Sequence, residues 1–472
     1  MGSEIDGLGG NADHVRFERH LFAETQEVDS VYRQGGFAEN RELVAGFELE
    51  AWLIDDRLLP APRNLSFLER MASPLVVPEL SRFNVEINGT PQALHGLALS
   101  TLENELLATW RHGQRICRAQ GNTLVAVGTL PTVRQADLTM ASMTPFKRYE
   151  MLNRQVLKLR GERPLRLDID GIESLSVTHA DVMLEAAATS FQVHLQTPAS
   201  EAVRAFNASL LLSGPLVALA ANSPFLFGRA LWHETRIPLF EQAVDCCDPA
   251  YPQYRRVTFG SGYLRDPIDF FAENIRYYKV LLPFETPGPQ QPYPHLRLHN
   301  GTIWRWNRML IGFDEQETPH FRVEQRVMPA GPSLLDMFAN AAFYYGAVRM
   351  LTTQQPAPES CLPFDVARDN FYRAARDGLA APLLWLDGRR RSAGDLLQHE
   401  LLPLAREGLA QLELAADDCE RYLTVIAERL SRRRTGAAWQ LAHYAKHRDF
   451  FRLTADYIEQ QGSLKPVHEW PI

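Results

Sequence analysis

Cysteine is scarce in this sequence, with five residues among 472. Their number is odd, their spacing matches no zinc motif, and Cys246 and Cys247 are adjacent. A disulfide-stabilised secreted domain or a zinc module would show a paired or regularly spaced set. We therefore expect reduced thiols in a cytoplasmic protein, without a disulfide framework.

Long apolar runs and an excess of basic charge are also missing. Residues 210–221 are apolar but interrupted by Ser213, Gly214 and Pro215, so no stretch is expected to span a membrane. The first eleven residues lack the basic and apolar regions of a signal peptide. A net charge of −8 disfavours nucleic acid and anionic membranes as partners. With 45% hydrophobic and 22% charged residues, the composition is typical of a soluble globular protein.

The most informative pattern that is present lies at residues 46–54. Apolar residues alternate at period two, which predicts a strand with Phe47 and Leu49 on one face and Glu48 and Glu50 on the other. Two such carboxylates lie side by side, within reach of one hard cation. By itself, an E-x-E pair is more often a solvated outer face, so the metal interpretation depends on the other strands.

Four later segments repeat this alternation. They are residues 83–88, 191–196, 302–308 and 321–327, with polar positions that include Glu86, His194, Arg308, Glu324 and Arg326. One apolar and one polar face are typical of an antiparallel sheet packed on helices, rather than of a doubly wound parallel sheet. Trp52, Trp304 and Trp306 share the polar face, which predicts a lined cleft. Carboxylates, a histidine and arginines in one cleft would hold divalent cations and the phosphates that these neutralise.

Helical patterns alternate with the strands up to about residue 355, and after it the patterns are mainly helical. Residues 97–119, 200–221 and 333–353 are predicted helices, the last two with Ser200 and Ser333 as N-caps. Further helical patterns follow at 364–378, 392–412, 416–430 and 435–461. We therefore predict an α+β fold, a mainly antiparallel sheet with helices on one face and a ligand cleft on the other. Residues 1–355 would form the catalytic core and residues 356–472 a helical C-terminal extension packed on it.

Three smaller features complete the pattern. The proline-rich residues 283–294 are predicted to be a loop, either an ordered surface crossing or a lid over the cleft. Asp387-Gly388 has the chemistry of a tight turn between two short strands. The basic run at residues 432–434 is either a solvated helix end or a phosphate contact.

Ten short motifs follow one another in a fixed order along the chain. They lie at residues 46–50, 85–88, 128–131, 192–194, 221–225 with Arg236, 303–304 with Arg308, 323–327, 376–378, 386–388 and 435–440. Together they resemble glutamate–cysteine ligase type 2, within the carboxylate–amine ligases of the glutamine-synthetase-like fold. The resemblance covers nearly all of the chain after about residue 40.

This resemblance implies an ATP-dependent carbon–nitrogen ligase that forms a γ-glutamyl amide through an acyl phosphate. It implies ATP and Mg²⁺ as cofactors, small-molecule substrates, glutathione biosynthesis as the setting, and a homo-oligomer by analogy. Carried over by motif, the implied Mg²⁺ ligands are Glu48, Glu50, Glu86 and Glu324, the implied cofactor contacts are His194 and Arg236, and the implied catalytic clamps for phosphate or carboxylate are Arg308 and Arg326.

The sequence departs from the family pattern at three positions. Gln192 and Gln196 stand where relatives carry a histidine and a glycine, and Trp439 stands where a smaller or charged residue is expected. The amine acceptor, and whether it is cysteine, therefore stays open, as does the choice of glutamate as donor.

Other interpretations of the chain are also open. His194 is either functional or a satisfied core histidine, and Glu86 either binds metal or pairs with an arginine across the sheet. The alternative activities are a ligase with other substrates and a guanidino-kinase-like phosphotransferase. The kinase would need a reactive-cysteine motif, which the surroundings of the cysteines do not show. A non-catalytic protein of the same fold would have no chemical reason to keep the whole acidic set.

Overall fold

The computed structural model describes residues 11–40, 42–247, 251–284 and 291–472. The strands are β1 Val44–Ile54, β2 Val76–Pro78, β3 Asn84–Asn88, β4 Gln92–Ala93, β5 Thr123–Val125, β6 Leu165–Asp170, β7 Ser174–His179, β8 Phe191–Thr197, β9 Phe225–Leu226, β10 Arg229–Ala230, β11 Asn307–Phe313, β12 Pro319–Gln325, β13 Pro382–Leu384 and β14 Arg390–Ser392. The helices are α1 Asn11–Arg33, α2 Asn64–Met71, α3 Ala98–Ala119, α4 Lys147–Leu159, α5 Ala202–Ala220, α6 Arg236–Ala243, α7 Pro267–Tyr277, α8 Pro294–Gly301, α9 Leu334–Thr353, α10 Pro358–Cys361, α11 Phe364–Asp377, α12 Ala393–Leu396, α13 Leu402–Gln411, α14 Ala416–Ser431, α15 Gly436–His447 and α16 Phe450–Gly462.

The main sheet has the strand order β11-β12-β8-β1-β3-β2, and β4 and β5 also pair with β1. Each of these pairs is antiparallel, which confirms the predicted sheet. The long strand β1 lies at its centre. Two-stranded hairpins β6-β7, β9-β10 and β13-β14 lie outside it, and the last is the predicted turn at Asp387-Gly388.

The apolar face of the sheet packs on helix α9. The rings of Phe47 in β1 and Phe191 in β8 meet Phe338 of this helix, at centroid distances of 5.5 and 5.7 Å. The Tyr345 hydroxyl donates to the backbone carbonyls of Gly46 and His194, both at 3.1 Å. Helix α9 therefore fixes β1 against β8 from behind, and the opposite face remains for the polar side chains.

The predicted helix caps are confirmed in part. Ser333 caps α9 in a capping box, with its hydroxyl accepting from the Asp336 amide at 3.1 Å. Ser200 does not cap α5, because it lies inside a short 3₁₀ turn, Ala199–Glu201, that precedes the helix. The single helix predicted at 435–461 is two helices, since the backbone turns at Arg448, which has a φ of 54°.

The strand predicted at 302–308 is wrong in position, since β11 begins at Asn307. Two of the three tryptophans predicted to line the cleft are core residues instead, and Trp304 is half-buried. Trp52 is fully buried, donates from Nε1 to the Val127 carbonyl at 3.1 Å, and stacks on Phe83. Trp306 is equally buried.

Residues after 355 pack against the helices behind the sheet. Helix α11 lies on α5, and α13 and α14 lie on α9. Arg429 of α14 forms a buried ion pair with Asp336, with 2.7 Å between Nη2 and Oδ1. One continuous hydrophobic core extends across residue 355, so the division at that residue stays a prediction.

The basic run at residues 432–434 lies against the C-terminal residues, because Arg432 and Arg434 donate to the carbonyls of His468 and Trp470.

Residues 199–220 are long and apolar enough to cross a membrane, contrary to the expectation, but 89% of the apolar window is buried inside the protein. The glycine-rich residues 1–10 and residues 285–290 of the proline-rich loop lie outside the described residues.

Candidate active site

The register of the sheet brings the predicted polar residues onto one face. Glu50 lies opposite Glu86, Glu48 lies opposite Gln192, and Glu324 lies between Arg308 and His194. Directly opposed residues of antiparallel strands point to the same side of the sheet. The five strand segments therefore combine into one cleft face.

At the centre of this face, Glu48, His194 and Glu324 form what we call the central group. One potential ligand atom from each lies within 4.8 Å of the others. His194 Nε2 is 3.1 Å from Glu48 Oε1, although neither ring nitrogen makes an aligned hydrogen bond to a described residue. An imidazole that is only 5% exposed and lacks such a bond is suited to a ligand contact.

Two arginines hold the carboxylate of Glu324. Arg308 donates to both of its oxygens, from Nε and Nη2, each at 2.8 Å, and Arg326 Nη1 donates at 3.1 Å. Burial alone would raise the pKa of Glu324, but the charges of Arg308 and Arg326 lower it far below the usual range. Glu324 is therefore a fixed carboxylate in a dry environment.

A second set of carboxylates, the lateral group, consists of Glu50, Glu79 and Glu86. Their nearest oxygens lie within 4.8 Å of one another. Asn88 Nδ2 donates to Glu86 at 3.0 Å, and the Ser190 amide donates to Glu50 at 2.7 Å. Burial and the charge of Glu48 raise the pKa of Glu86 to about 7, and burial raises the pKa of Glu79 well above its usual value. Carboxylates this close repel one another unless they share protons or a cation.

Gln192 connects the two groups. Its Nε2 donates to Glu50 Oε1 at 3.0 Å, and its Oε1 accepts a hydrogen bond from Arg326. The amide therefore uses one end for a carboxylate and the other for a guanidinium. Gln192 is therefore a structural link between the central and lateral groups in this chain.

Arg236 lies next to the cleft and orients its wall. Its Nε donates to Glu234 at 3.1 Å, and its Nη2 donates to the carbonyl of Arg326 at 3.2 Å and to that of Val327. The guanidinium is 5.2 Å from the Trp306 ring. These bonds fix the backbone that carries Arg326, and a nucleotide contact of Arg236 stays a prediction.

The sequence-based interpretation did not include two acidic residues that the structure places here. Glu79 follows the short strand β2, and Glu185 lies in the 3₁₀ turn Val182–Ala187. Both line a small cavity together with Glu50 and Asn84. Burial and the charge of Glu50 raise the pKa of Glu185 to about 8. Neither residue belongs to an alternating strand pattern, so periodicity carries no signal for them.

The donor set fits Mg²⁺. The lateral group offers oxygen atoms, which Mg²⁺ prefers, and the central group adds one imidazole. No cysteine belongs to either group within the described residues, so a zinc thiolate site is not formed. The ring nitrogens of His194 make no aligned hydrogen bond to a described residue, and the carboxylates repel one another; a bound cation would compensate both.

Known proteins with similar sequences or structures include glutamate–cysteine ligases. Residues 44–261 match the family model of glutamate-cysteine ligase family 2. The match contains Glu48, Glu50, Glu86, His194 and Arg236, and it ends before Arg308, Glu324 and Arg326.

A protein from Trichormus variabilis named "Putative glutamate--cysteine ligase 2" is 25% identical to this chain over 365 residues, which are 73% of this chain and 75% of that protein. The crystal structure of glutamate–cysteine ligase from Francisella tularensis, in complex with AMP, has a TM-score of 0.56 at 12% identity and covers 92% of both chains. The predicted resemblance to this family, the fold class and the enzyme class, an ATP-dependent carbon–nitrogen ligase, are therefore confirmed.

Proposed function

We propose that this ligase uses ATP to activate the γ-carboxylate of glutamate and joins it to an amine, with cysteine as the first acceptor to test. The observation that supports this is that the central group and the lateral group lie together with Arg308 and Arg326 on one buried cleft face. Nucleotide phosphates and a substrate carboxylate are anions that repel each other. A site that brings them together needs bound cations and fixed guanidinium groups.

The carboxylates would hold Mg²⁺. Glu48, His194 and Glu324 would hold one cation, and the lateral group, with Glu185 beside it, another. When bound, Mg²⁺ would neutralise phosphate oxygens and polarise the phosphoryl group that is transferred. A buried site would strengthen this effect, because water is excluded.

The arginines would stabilise the transferring phosphoryl group directly. Arg326 is 8% exposed, and its buried Nε has no hydrogen-bond partner among the described residues. Although burial lowers it, the charges of Glu324 and Glu50 raise the pKa of Arg326, so the guanidinium stays charged. Gln192 and Glu324 hold its Nη1, and Nε remains available to an oxyanion.

The cysteine environment does not favour the kinase alternative. Burial raises the pKa of the Cys247 thiol to about 12. A reactive cysteine needs a thiol whose pKa is lowered instead. Cytoplasmic location, a homo-oligomeric state and a role in glutathione biosynthesis stay predictions.

The assay that tests this function measures ADP and phosphate release from Mg·ATP with glutamate and a panel of amines that includes cysteine. Mass spectrometry identifies the product. ADP formation only when glutamate and one amine are both present, with a matching γ-glutamyl mass, would support the proposal. Release of ADP without an amide product would contradict it, and product from another carboxylate would change the donor.

Mg²⁺ binding should be strongly pH-dependent. The pKa values of Glu86, about 7, and Glu185, about 8, lie above the unfolded value of ~4.3. The folded metal-free protein therefore binds more protons than the unfolded chain, so its stability should fall as pH rises from ~4.3 through both values. Since Mg²⁺ binds ionised carboxylates, it should raise the unfolding temperature at about pH 8.5 and much less at about pH 5.5.

Thermal unfolding in EDTA and in saturating Mg²⁺, at equal ionic strength, checks this expectation. Glu185→Gln should flatten the pH dependence of the metal-free protein, because it removes the group with the pKa of about 8. An equal Mg²⁺ effect at both pH values would contradict the assignment of the lateral group.

A further inference from the structure

A guanidinium that none of the family motifs assigns also faces the cleft. Arg322 lies two residues before Glu324 in β12, and therefore on the same face of the sheet. It stands opposite Leu310 on one side and Gln196 on the other. Its Nε is buried and has no hydrogen-bond partner, and its guanidinium forms no ion pair within the described residues. A cation on a central strand is thus left without a fixed partner.

Two more arginines border this position. Arg308 is 4% exposed, and its buried Nη1 has no partner in the described part of the chain. Arg297 of α8 lies over the ring of Phe313, with 5.9 Å from Cζ to the centroid. Burial, and then the charge of Arg322, lower the pKa of Arg297. The negative charges that act on Arg322 are those of Glu48 and Glu324, and Glu324 is already bound by Arg308 and Arg326, so positive charge exceeds negative charge on this side of the cleft.

We propose that Arg322, flanked by Arg308 and Arg297, forms a subsite for the α-carboxylate of the amino acid whose side-chain carboxylate is activated. The inference rests on the proposed function and names the residues that recognise the substrate carboxylate which does not react. A planar guanidinium with free donors matches a carboxylate in two places. Gln196 beside it adds an amide and no competing charge.

The position of the carboxylate groups favours a substrate carboxylate over a nucleotide phosphate as the anion. Phosphates that are neutralised by bound cations would lie over the central and lateral groups. Glu50 and Glu86 of the lateral group lie on β1 and β3, and three strand spacings of ~4.8 Å separate β3 from β12. The part of β12 that carries Arg322, two residues before Glu324, is therefore left for the other reactant.

The experiment is a KM comparison on the full-length enzyme, made once the wild type has given a γ-glutamyl product. For Arg322→Gln we expect the KM of glutamate to rise about 10- to 100-fold, because hydrogen bonds to a charged group are lost. The kcat and the KM of ATP should stay within about twofold. Arg322→Lys should show a smaller increase. Arg390→Gln, an exposed arginine in β14, is the matched control and should leave all constants unchanged.

A second substrate isolates the α-carboxylate. 4-Aminobutanoate is glutamate without this group, so the wild type should prefer glutamate over it. In Arg322→Gln the ratio of kcat/KM for glutamate to kcat/KM for 4-aminobutanoate should fall by the same factor by which the KM of glutamate rises. A rise in the KM of ATP or of the amine alone, an unchanged preference, or unchanged constants would each overturn the subsite.

Two further checks keep the result interpretable. If Arg322→Gln does not fold, as judged by thermal unfolding, the half-buried Arg297→Gln takes its place, with an expected rise of about 3- to 10-fold. An unchanged KM for glutamate in that variant would also overturn the proposal. Failure of the proposed function itself would show as no γ-glutamyl product from the wild type, before any variant is compared.

Discussion

Replacing Glu48 by glutamine is expected to reduce Mg²⁺-dependent turnover by roughly 100-fold or more. Cation stabilisation of the transferring group contributes several kcal/mol, and each ~1.4 kcal/mol is tenfold in rate. Although burial opposes it, the charge of His194 lowers the pKa of Glu48, so the group is an anion at neutral pH. Glutamine keeps the shape and removes the charge that a metal ligand needs.

Steady-state turnover over a range of Mg²⁺ concentrations measures this effect. Glu459→Gln, an exposed glutamate in α16, is the matched control. Glu48 is a better test position than Glu324, because neutralising Glu324 would leave Arg308 and Arg326 buried without their counterion, at a cost of about 3–5 kcal/mol in stability. Wild-type turnover of Glu48→Gln at saturating Mg²⁺ would refute the central group as a metal site.

Arg326→Lys is expected to reduce kcat by about 10³-fold, the lower end of the effect of a transition-state arginine in phosphoryl transfer. Lysine retains the positive charge, but its single ammonium cannot bond Gln192 and Glu324 while it also contacts a phosphoryl oxygen. The KM of ATP should change little, since the interaction is made in the transition state.

Single-turnover measurement of ADP formation, with Arg390→Lys as the control, separates chemistry from product release. The unfolding temperature should stay close to that of the wild type, because Glu324 keeps its two bonds to Arg308. A kcat within tenfold of the wild type would show that Arg326 supports the cleft without taking part in transfer.

The cleft residues on strands could be predicted because alternation is local. Glu48, Glu50, Glu86, His194 and Glu324 each follow from a period-two pattern, whichever strands pair. The same signal fails at residues 302–308. There Arg305 is buried and forms an ion pair with Glu273 at 2.7 Å. The alternation reflects packing before the strand, because β11 begins only at Asn307.

The lateral group could not be completed from the sequence. Glu79 and Glu185 come from a strand end and a 3₁₀ turn, and they meet Glu50 only because β1, β3 and the turn before β8 fold together. The same holds for Gln192, which the sequence marks as a departure from the family. Its role as a link between Glu50 and Arg326 depends on contacts between three strands.

The sequence by itself determined the fold class, the resemblance to a ligase family and the face on which most ionisable residues lie, because these follow from periodicity and motif order. Only the tertiary structure decided which carboxylates share a site, which arginines neutralise them and which arginine has no hydrogen-bond or ion-pair partner among the described residues. Those properties depend on strand register and on burial, since the charge and the pKa of a group are set by neighbours that are distant in the chain.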